Sequence, residues 1–187
     1  MENTYCKYCL DLPDGNVNKV YHNTQYGFPI DEDNALFGRL ILEINQAGLS
    51  WSTILNKQDN FVKAYDDFSI TTIAAYKEKD IERLLSDAGI IRNKLKINAV
   101  IYNANVVVSM QQEFGSFKNW IDLNHPLSRD EWVKLFKKKF KFTGGEITNE
   151  FLMSTGYLPG AHSPECPTFK EIELLGPKFL EVIKHID

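Results

Sequence analysis

The chain predicts an all-α fold, and three observations carry that prediction. Apolar residues recur at helical spacing, as in Leu95, Ala99, Val100, Ala104, Val107 and Val108, with Asn103 on the same spacing, the period of one helix face. Several such runs follow a residue whose side chain can accept from the free amides of a first turn, among them Asp33, Ser50, Ser69 and Ser128. No segment alternates apolar and polar residues convincingly over the length of a strand.

Taken in order, residues 1–30 read as irregular, with turn signals at Pro13-Asp14-Gly15-Asn16 and Gly27-Phe28-Pro29. Asp33 caps a first helix to about Ala47, and Gly48 marks its exit. Ser50 caps a second helix to about Tyr65, Ser69 a third over Ile70 to Tyr76, and Asp80 a fourth over Ile81 to Leu85. Ser86 to Arg92 is a tight turn, followed by a long helix that Gly115 closes. Phe117 to Leu123 is a short helix or turn. Ser128 with Glu131, and Thr143 with Glu146, have capping-box spacing. They open helices over Trp132 to Phe140 and up to Gly156. Residues 157–167 form a Pro/Gly loop, and a last helix covers roughly Thr168 to His185. With 187 residues the expectation is one domain. Its parts are an irregular segment 1–30, a helical body 31–156, the loop 157–167 and a packing helix 168–187.

Composition excludes some function classes. Hydrophobic residues make up 43% and charged residues 25%, an ordinary globular balance. The net charge of −4 argues against broad electrostatic binding of nucleic acid, so any such role needs a local basic face. The opening MENTYCKYCL has no basic flank before an apolar run, and the apolar stretch from Ala99 to Met110 is broken by Asn103 and Asn105. A cytoplasmic location is the expectation. Three cysteines cannot all pair, which favours metal binding or burial over a disulfide framework.

Three constellations could carry chemistry. Glu43 shares a face with Leu36, Leu40 and Ala47, which puts a carboxylate on a stripe that should be buried. Either it reaches water at the edge of the stripe or it awaits a partner, because burying a lone charge is costly. Cys6 or Cys9 with His22, and His162 with Cys166, supply two thiols and two imidazoles, a donor set for a closed tetrahedral zinc site that would staple residues 1–30 to the late loop. Buried inert cysteines and surface histidines are the alternative. The turn at Gly89 resembles a helix-hairpin-helix in outline, with helix-start amides able to take a phosphate and Arg92, Lys94 and Lys96 just beyond. Lys134, Lys137, Lys138, Lys139 and Lys141 could extend a basic face, or line a solvated helix edge.

Five blocks occur in one order: Tyr21-His22-Asn23 with Gly27; Glu43 with Gln46-Ala47-Gly48-Leu49-Ser50-Trp51; Asp87-Ala88-Gly89-Ile90-Ile91-Arg92; Phe140-Lys141-Phe142-Thr143-Gly144; and His162 with Cys166. This series resembles the 3-methyladenine DNA glycosylase I family, across about Cys6 to Cys166. The resemblance implies a helix-hairpin-helix DNA glycosylase fold with a zinc knot joining the terminal segments. One structural zinc would bind Cys6, His22, His162 and Cys166, with Cys9 as the substitute for Cys6. Glu43, helped by Tyr21, would act on a flipped base. Trp51, Tyr26, Tyr8 and Gln46 would line its pocket. Gly48 and Leu49 would meet the gap left in the DNA, and Gly89, Ile91, Arg92 and Lys94 would hold the backbone.

The implied activity is hydrolysis of the N-glycosidic bond of 3-methyladenine in double-stranded alkylated DNA, releasing the free base. No lysine lies in the central stretch to act as an amine nucleophile, so no strand cleavage is expected. A monomer is expected. Some positions depart from the family: Tyr26 and Tyr8 stand where tryptophan is usual, Asn18 replaces an aromatic, and the segment from Asn119 to Arg129 is shorter. The alternative reading is therefore a binder of DNA damage with weakened catalysis. A zinc-dependent hydrolase is disfavoured, since four protein ligands leave no open coordination position.

Overall fold

A computed structural model describes residues 4–183, and the described residues are helical with no strand. The chain does not begin irregularly. Helices α1 (Thr4–Leu10) and α2 (Val17–Thr24) occupy the first thirty residues. Asn16 caps α2 by accepting from the Asn18 amide. Both helices, of 7 and 8 residues, are too short to persist alone and too short to establish a helical period in the sequence, so their helicity comes from packing.

Helix α3 (Asp33–Gln46) is the axis of the fold. Every residue from Leu36 to Asn45 is buried, so the helix is enclosed on all sides. Each fully buried Leu, Ile or Phe here stabilises by about 1.5–3 kcal/mol. Asp33 does not cap α3. Its carboxylate accepts from the Phe117 amide (2.8 Å), the Lys118 amide (3.0 Å) and Gln111 Nε2 (2.7 Å), and so caps α9 instead.

Ser50 caps as expected, but its helix breaks into α4 (Trp51–Leu55) and α5 (Gln58–Ala64). A single 3₁₀ turn, Asp66–Phe68, leads to α6 (Ile70–Ala74), capped by Ser69. Helix α7 (Glu78–Ser86) starts at Lys77, with Asp80 in its first turn, reaching back to the Lys77 amide (2.9 Å). Helix α8 (Lys94–Phe114) is the long helix, and Gly115 ends it. Its buried Asn103 holds both the amide and the carbonyl of Lys141 (2.8 and 2.9 Å).

Helices α9 (Phe117–Asn124), α10 (Arg129–Lys139) and α11 (Gly145–Ser154) enclose an aromatic cluster of Phe117, Trp120, Phe136, Phe140 and Phe151. The Ser128–Glu131 capping box is formed. The Thr143–Glu146 box is not: Thr143 Oγ1 donates back to the Phe140 carbonyl, and Gly144 takes the cap position without a side chain. The final helix divides into α12 (Pro167–Leu174) and α13 (Phe179–Ile183), because Gly176-Pro177 interrupts it. Its expected extension to His185 lies outside the described residues. No helix among the described residues is long and apolar enough to cross a membrane.

Candidate functional site

Two polar clusters flank α2, and consecutive residues of that helix feed them. His22 points into the first, with Cys6, His162 and Cys166. All four are buried, and their ligand atoms lie within 4.8 Å of one another. Cys6 Sγ is 3.7 Å from His162 Nδ1, Cys166 Sγ 3.5 Å from the same nitrogen, and Cys166 Sγ 3.6 Å from His22 Nε2. Those three separations are close to the ligand–ligand spacing of a tetrahedral Cys/His metal site, whose bonds run about 2.0–2.3 Å. The other ring nitrogens are engaged, His22 Nδ1 with Asn23 Oδ1 (2.6 Å) and His162 Nε2 with the Tyr26 carbonyl (2.7 Å). Such outer contacts fix tautomer and ring orientation. Burial pushes the His162 imidazole down to about 4, so it is neutral at pH 7. The cluster can hold one metal ion. Cys9 is not part of it; its thiol turns to the Asn18 carbonyl (3.6 Å).

Tyr21 points into the second cluster, a cavity of about 250 Å³ lined by Tyr5, Tyr21, Tyr26, Glu43, Gln46, Trp51 and Glu150. That volume is on the scale of one nucleobase. Glu43 is 3% exposed, and its side chain has no hydrogen-bond partner among the described residues. Burial pushes its carboxyl up to about 8, while Arg39 opposes the rise and Glu150 adds to it. Arg39, also buried, donates to the Tyr21 hydroxyl (2.8 Å) and stacks over its ring (5.0 Å). It thereby fixes Tyr21 against Trp51, whose ring centre lies 5.1 Å away. The Trp51 indole N–H is buried without a partner. Tyr26 packs edge-on against Tyr5 (5.5 Å). Tyr8 is not in the wall; it is half exposed, and Tyr5, on the other side of Cys6, stands there instead. Asn18 is buried away from the cavity, pairing with Ser52 across α4.

The mouth lies where α3 gives way to α4. Gly48 has φ +82°, a left-handed conformation open to glycine, and both Gly48 and Leu49 are exposed. The buried ammonium of Lys96 donates to the carbonyls of Asn45 and Ala47 (2.8 Å each). Desolvation lowers its pKa. This lysine, read from sequence as part of a basic edge, instead ties the start of α8 to the end of α3.

The turn between α7 and α8 is tight because Asp87 and Asn60 crowd Gly89. A Cβ there would lie 2.9 Å from Asp87 Oδ1 and 3.1 Å from Asn60 Cγ. Lys57 holds the Ala88 and Gly89 carbonyls (3.0 and 3.1 Å). The expectation that the α8 start offers its amides freely needs correction. Asn93 Oδ1 already takes those of Leu95 and Lys96 (3.0 and 3.2 Å). The Ile91, Arg92 and Lys94 amides have no protein partner among the described residues, and the Arg92 and Lys94 side chains are exposed. Lys94 Nζ lies 3.7 Å from Glu78 at the surface.

Sequence reasoning missed Arg39, Glu150 and Tyr5. Arg39 carried a signal, being a cation one turn before Glu43 on a helix with an otherwise apolar run.

The comparisons bear on this geometry. A family model described as methyladenine glycosylase matches residues 13–170. The DNA-3-methyladenine glycosylase 1 of Escherichia coli K12 is 37% identical over 156 residues, covering 73% of this chain and 83% of that protein. The DNA-3-methyladenine glycosylase of Haemophilus influenzae is 30% identical over 165 residues, covering 79% and 89%. The solved structure of 3-methyladenine DNA glycosylase I from Staphylococcus aureus, described as the structural basis of 3-methyladenine recognition, superposes with a TM-score of 0.77 at 28% identity, over 90% of this chain and 97% of that one. A buried carboxylate in an aromatic, base-sized cavity, matched by relatives over most of the chain, leads to one conclusion: the chain belongs to the 3-methyladenine DNA glycosylase I family of enzymes.

Proposed function

We propose that the protein is a monofunctional DNA repair glycosylase of helix-hairpin-helix type, acting as a cytoplasmic monomer of one domain. It receives a 3-methyladenine extruded from alkylated double-stranded DNA and hydrolyses its N-glycosidic bond. The observation that carries this reading is Glu43. It is a fully buried carboxyl, without a hydrogen-bond partner among the described residues, facing a cavity of aromatic rings. A methylated adenine in DNA bears a positive charge, and a carboxylate among aromatic faces suits such a guest. Burial favours the protonated form of Glu43 near pH 7; a cation arriving beside it favours the ionised form.

The chemistry asks little of the protein beyond extrusion and orientation. The electron pair of the C1′–N9 bond passes to the base and cancels its charge. Water adds to C1′ and gives up a proton. Tyr21, held by Arg39, and Gln46 orient the base, while Trp51 and Tyr26 wall it. Gly48 and Leu49 fill the space the base leaves. The Gly89 turn, with the amides of Ile91, Arg92 and Lys94, holds the phosphates. Lys96 is occupied by two carbonyls, which supports hydrolysis by water rather than by a lysine amine.

The metal that Cys6, His22, His162 and Cys166 would hold is one zinc ion. It would supply a rigid link between the N-terminal segment and the late loop, with all four positions taken by protein.

Release of free 3-methyladenine from methylated duplex DNA tests the proposal. Wild-type protein should release it, and Glu43→Gln should not. A wild-type protein that binds alkylated or abasic duplex without releasing any base would instead establish the alternative, a damage binder that has lost turnover.

A further inference from the structure

Glu150 enters the cavity from α11, an element that the base-binding reading leaves unused. It is only partly exposed, and burial raises its pKa. The Tyr26 hydroxyl donates to its Oε2 (3.1 Å). No lysine or arginine among the described residues lies within ion-pair distance of it, although Arg129 acts on it at longer range. Arg39, on α3, is taken by Tyr21, the Ser154 carbonyl and Gln25. Arg129, on α10, is 2.9 Å from Glu146, one turn before Glu150 on α11. Glu43 is the other carboxyl in the same small space, and the two repel when both ionise. A second carboxyl without an ion pair of its own, added to a pocket that already has one, works against folding, and a positive guest in the cavity would offset that cost.

We infer that Glu150, oriented by Tyr26, is a specificity-determining residue: a second anionic contact that makes the pocket select the positive charge of an N-alkylated purine over the shape of the neutral ring. The inference rests on the glycosylase reading and deepens it, since it names the substrate class as cationic N-alkylpurines rather than methylated adenine alone. Once the bond breaks the base is neutral, so both carboxyls lose their attraction for it and the product is held less firmly than the substrate.

The test uses two free-base probes and the full chain. One is 3,9-dimethyladeninium, which carries a fixed positive charge; the other is neutral 3-methyladenine. Binding of each is followed by tryptophan fluorescence. Glu150→Gln keeps the shape of the side chain and should weaken the cation about tenfold, while the neutral base changes less than about twofold. Tyr26→Phe, which frees Glu150 from its donor, should move the same ratio in the same direction by less. Equal weakening of both probes by Glu150→Gln, no change in either, or a wild type that does not prefer the cation would overturn the inference. Base release from alkylated duplex is run alongside. If the wild type releases none, the glycosylase reading itself fails. If it releases 3-methyladenine but Glu150→Gln leaves the probe ratio unmoved, only the present inference fails.

Discussion

Tyr21 and His22 are neighbours on α2, yet they serve two clusters built on opposite rules. Around His22 every buried polar group has a protein partner: thiols face imidazoles, and the outer ring nitrogens meet Asn23 and the Tyr26 carbonyl. Around Tyr21 the groups are left wanting. Among the described residues Glu43 has no hydrogen bond, Glu150 has no ion pair, and the Trp51 indole N–H has no partner. A satisfied polar cluster fixes geometry, whereas an unsatisfied one holds interaction free energy in reserve for a ligand. The contrast is the one expected between a structural site and a ligand-binding one.

The contrast can be broken at either cluster, and the largest effect belongs to the first. Cys166→Ser, or refolding in the presence of a zinc chelator, should cost several kcal/mol and lower the melting temperature by more than about 10 °C. Cys9→Ser should cost less than about 1 kcal/mol, because its thiol lies outside the Cys/His cluster and makes a weak sulfur hydrogen bond to the Asn18 carbonyl. Calorimetry beside a zinc assay decides; matching losses for the two variants would undo the assignment.

At the second cluster the sign reverses. The Glu43 carboxyl moves from its ordinary 4.5 to about 8 on folding. The fold therefore favours the protonated form, and stability is lost as pH rises from about 4.5 through about 8. Glu43→Gln should be more stable than wild type, with a gap that opens across that window to the order of 2–4 kcal/mol near pH 8.5. Urea unfolding at pH 5 and pH 8.5 measures it. A gap of the same size at both values would mean Glu43 is not held in its neutral form.

Smaller effects are expected where the pocket meets the turn. Lys96→Met fits the buried channel but leaves the Asn45 and Ala47 carbonyls unpaired, at about 1–3 kcal/mol. Denaturant melts should show that loss, and affinity for alkylated duplex should fall with it. Gly48→Ala meets no neighbouring atom, so its cost of about 1–2 kcal/mol is conformational, from φ +82° alone. A melt with no shift would mean that the turn relaxes.

Much of this could be read from the chain, and the gaps have physical causes. Glu43 stood out because an apolar stripe with helical period leaves no room for a carboxylate. The metal residues stood out because donor types clustered at the two ends, although spacing alone could not choose Cys6 over Cys9. That choice depends on which thiol of α1 faces His162. Helices α1 and α2 went unseen because helices of 7 and 8 residues are too short to establish a period. Glu150 was illegible for a different reason. It sits beside Asn149 on a half-exposed helix, where a carboxylate reads as solvated, and only the packing of α11 against Tyr26 turns it inward. Asp33 looked like a cap and is one, but of a helix more than eighty residues later.

The placement of the cavity wall has a consequence for how the protein is made. Tyr5 and Tyr21 lie on α1 and α2 and Tyr26 just after them, so all three are translated before α3, while groups that hold their segment in place, the Ser154 carbonyl, His162 and Cys166, follow only after α10. During translation the nascent chain can pack α3 against its neighbours well before it can close the pocket. Enclosure of the cavity therefore waits for the loop that carries His162 and Cys166, and a polypeptide terminated before that loop carries Glu43 without its full surround.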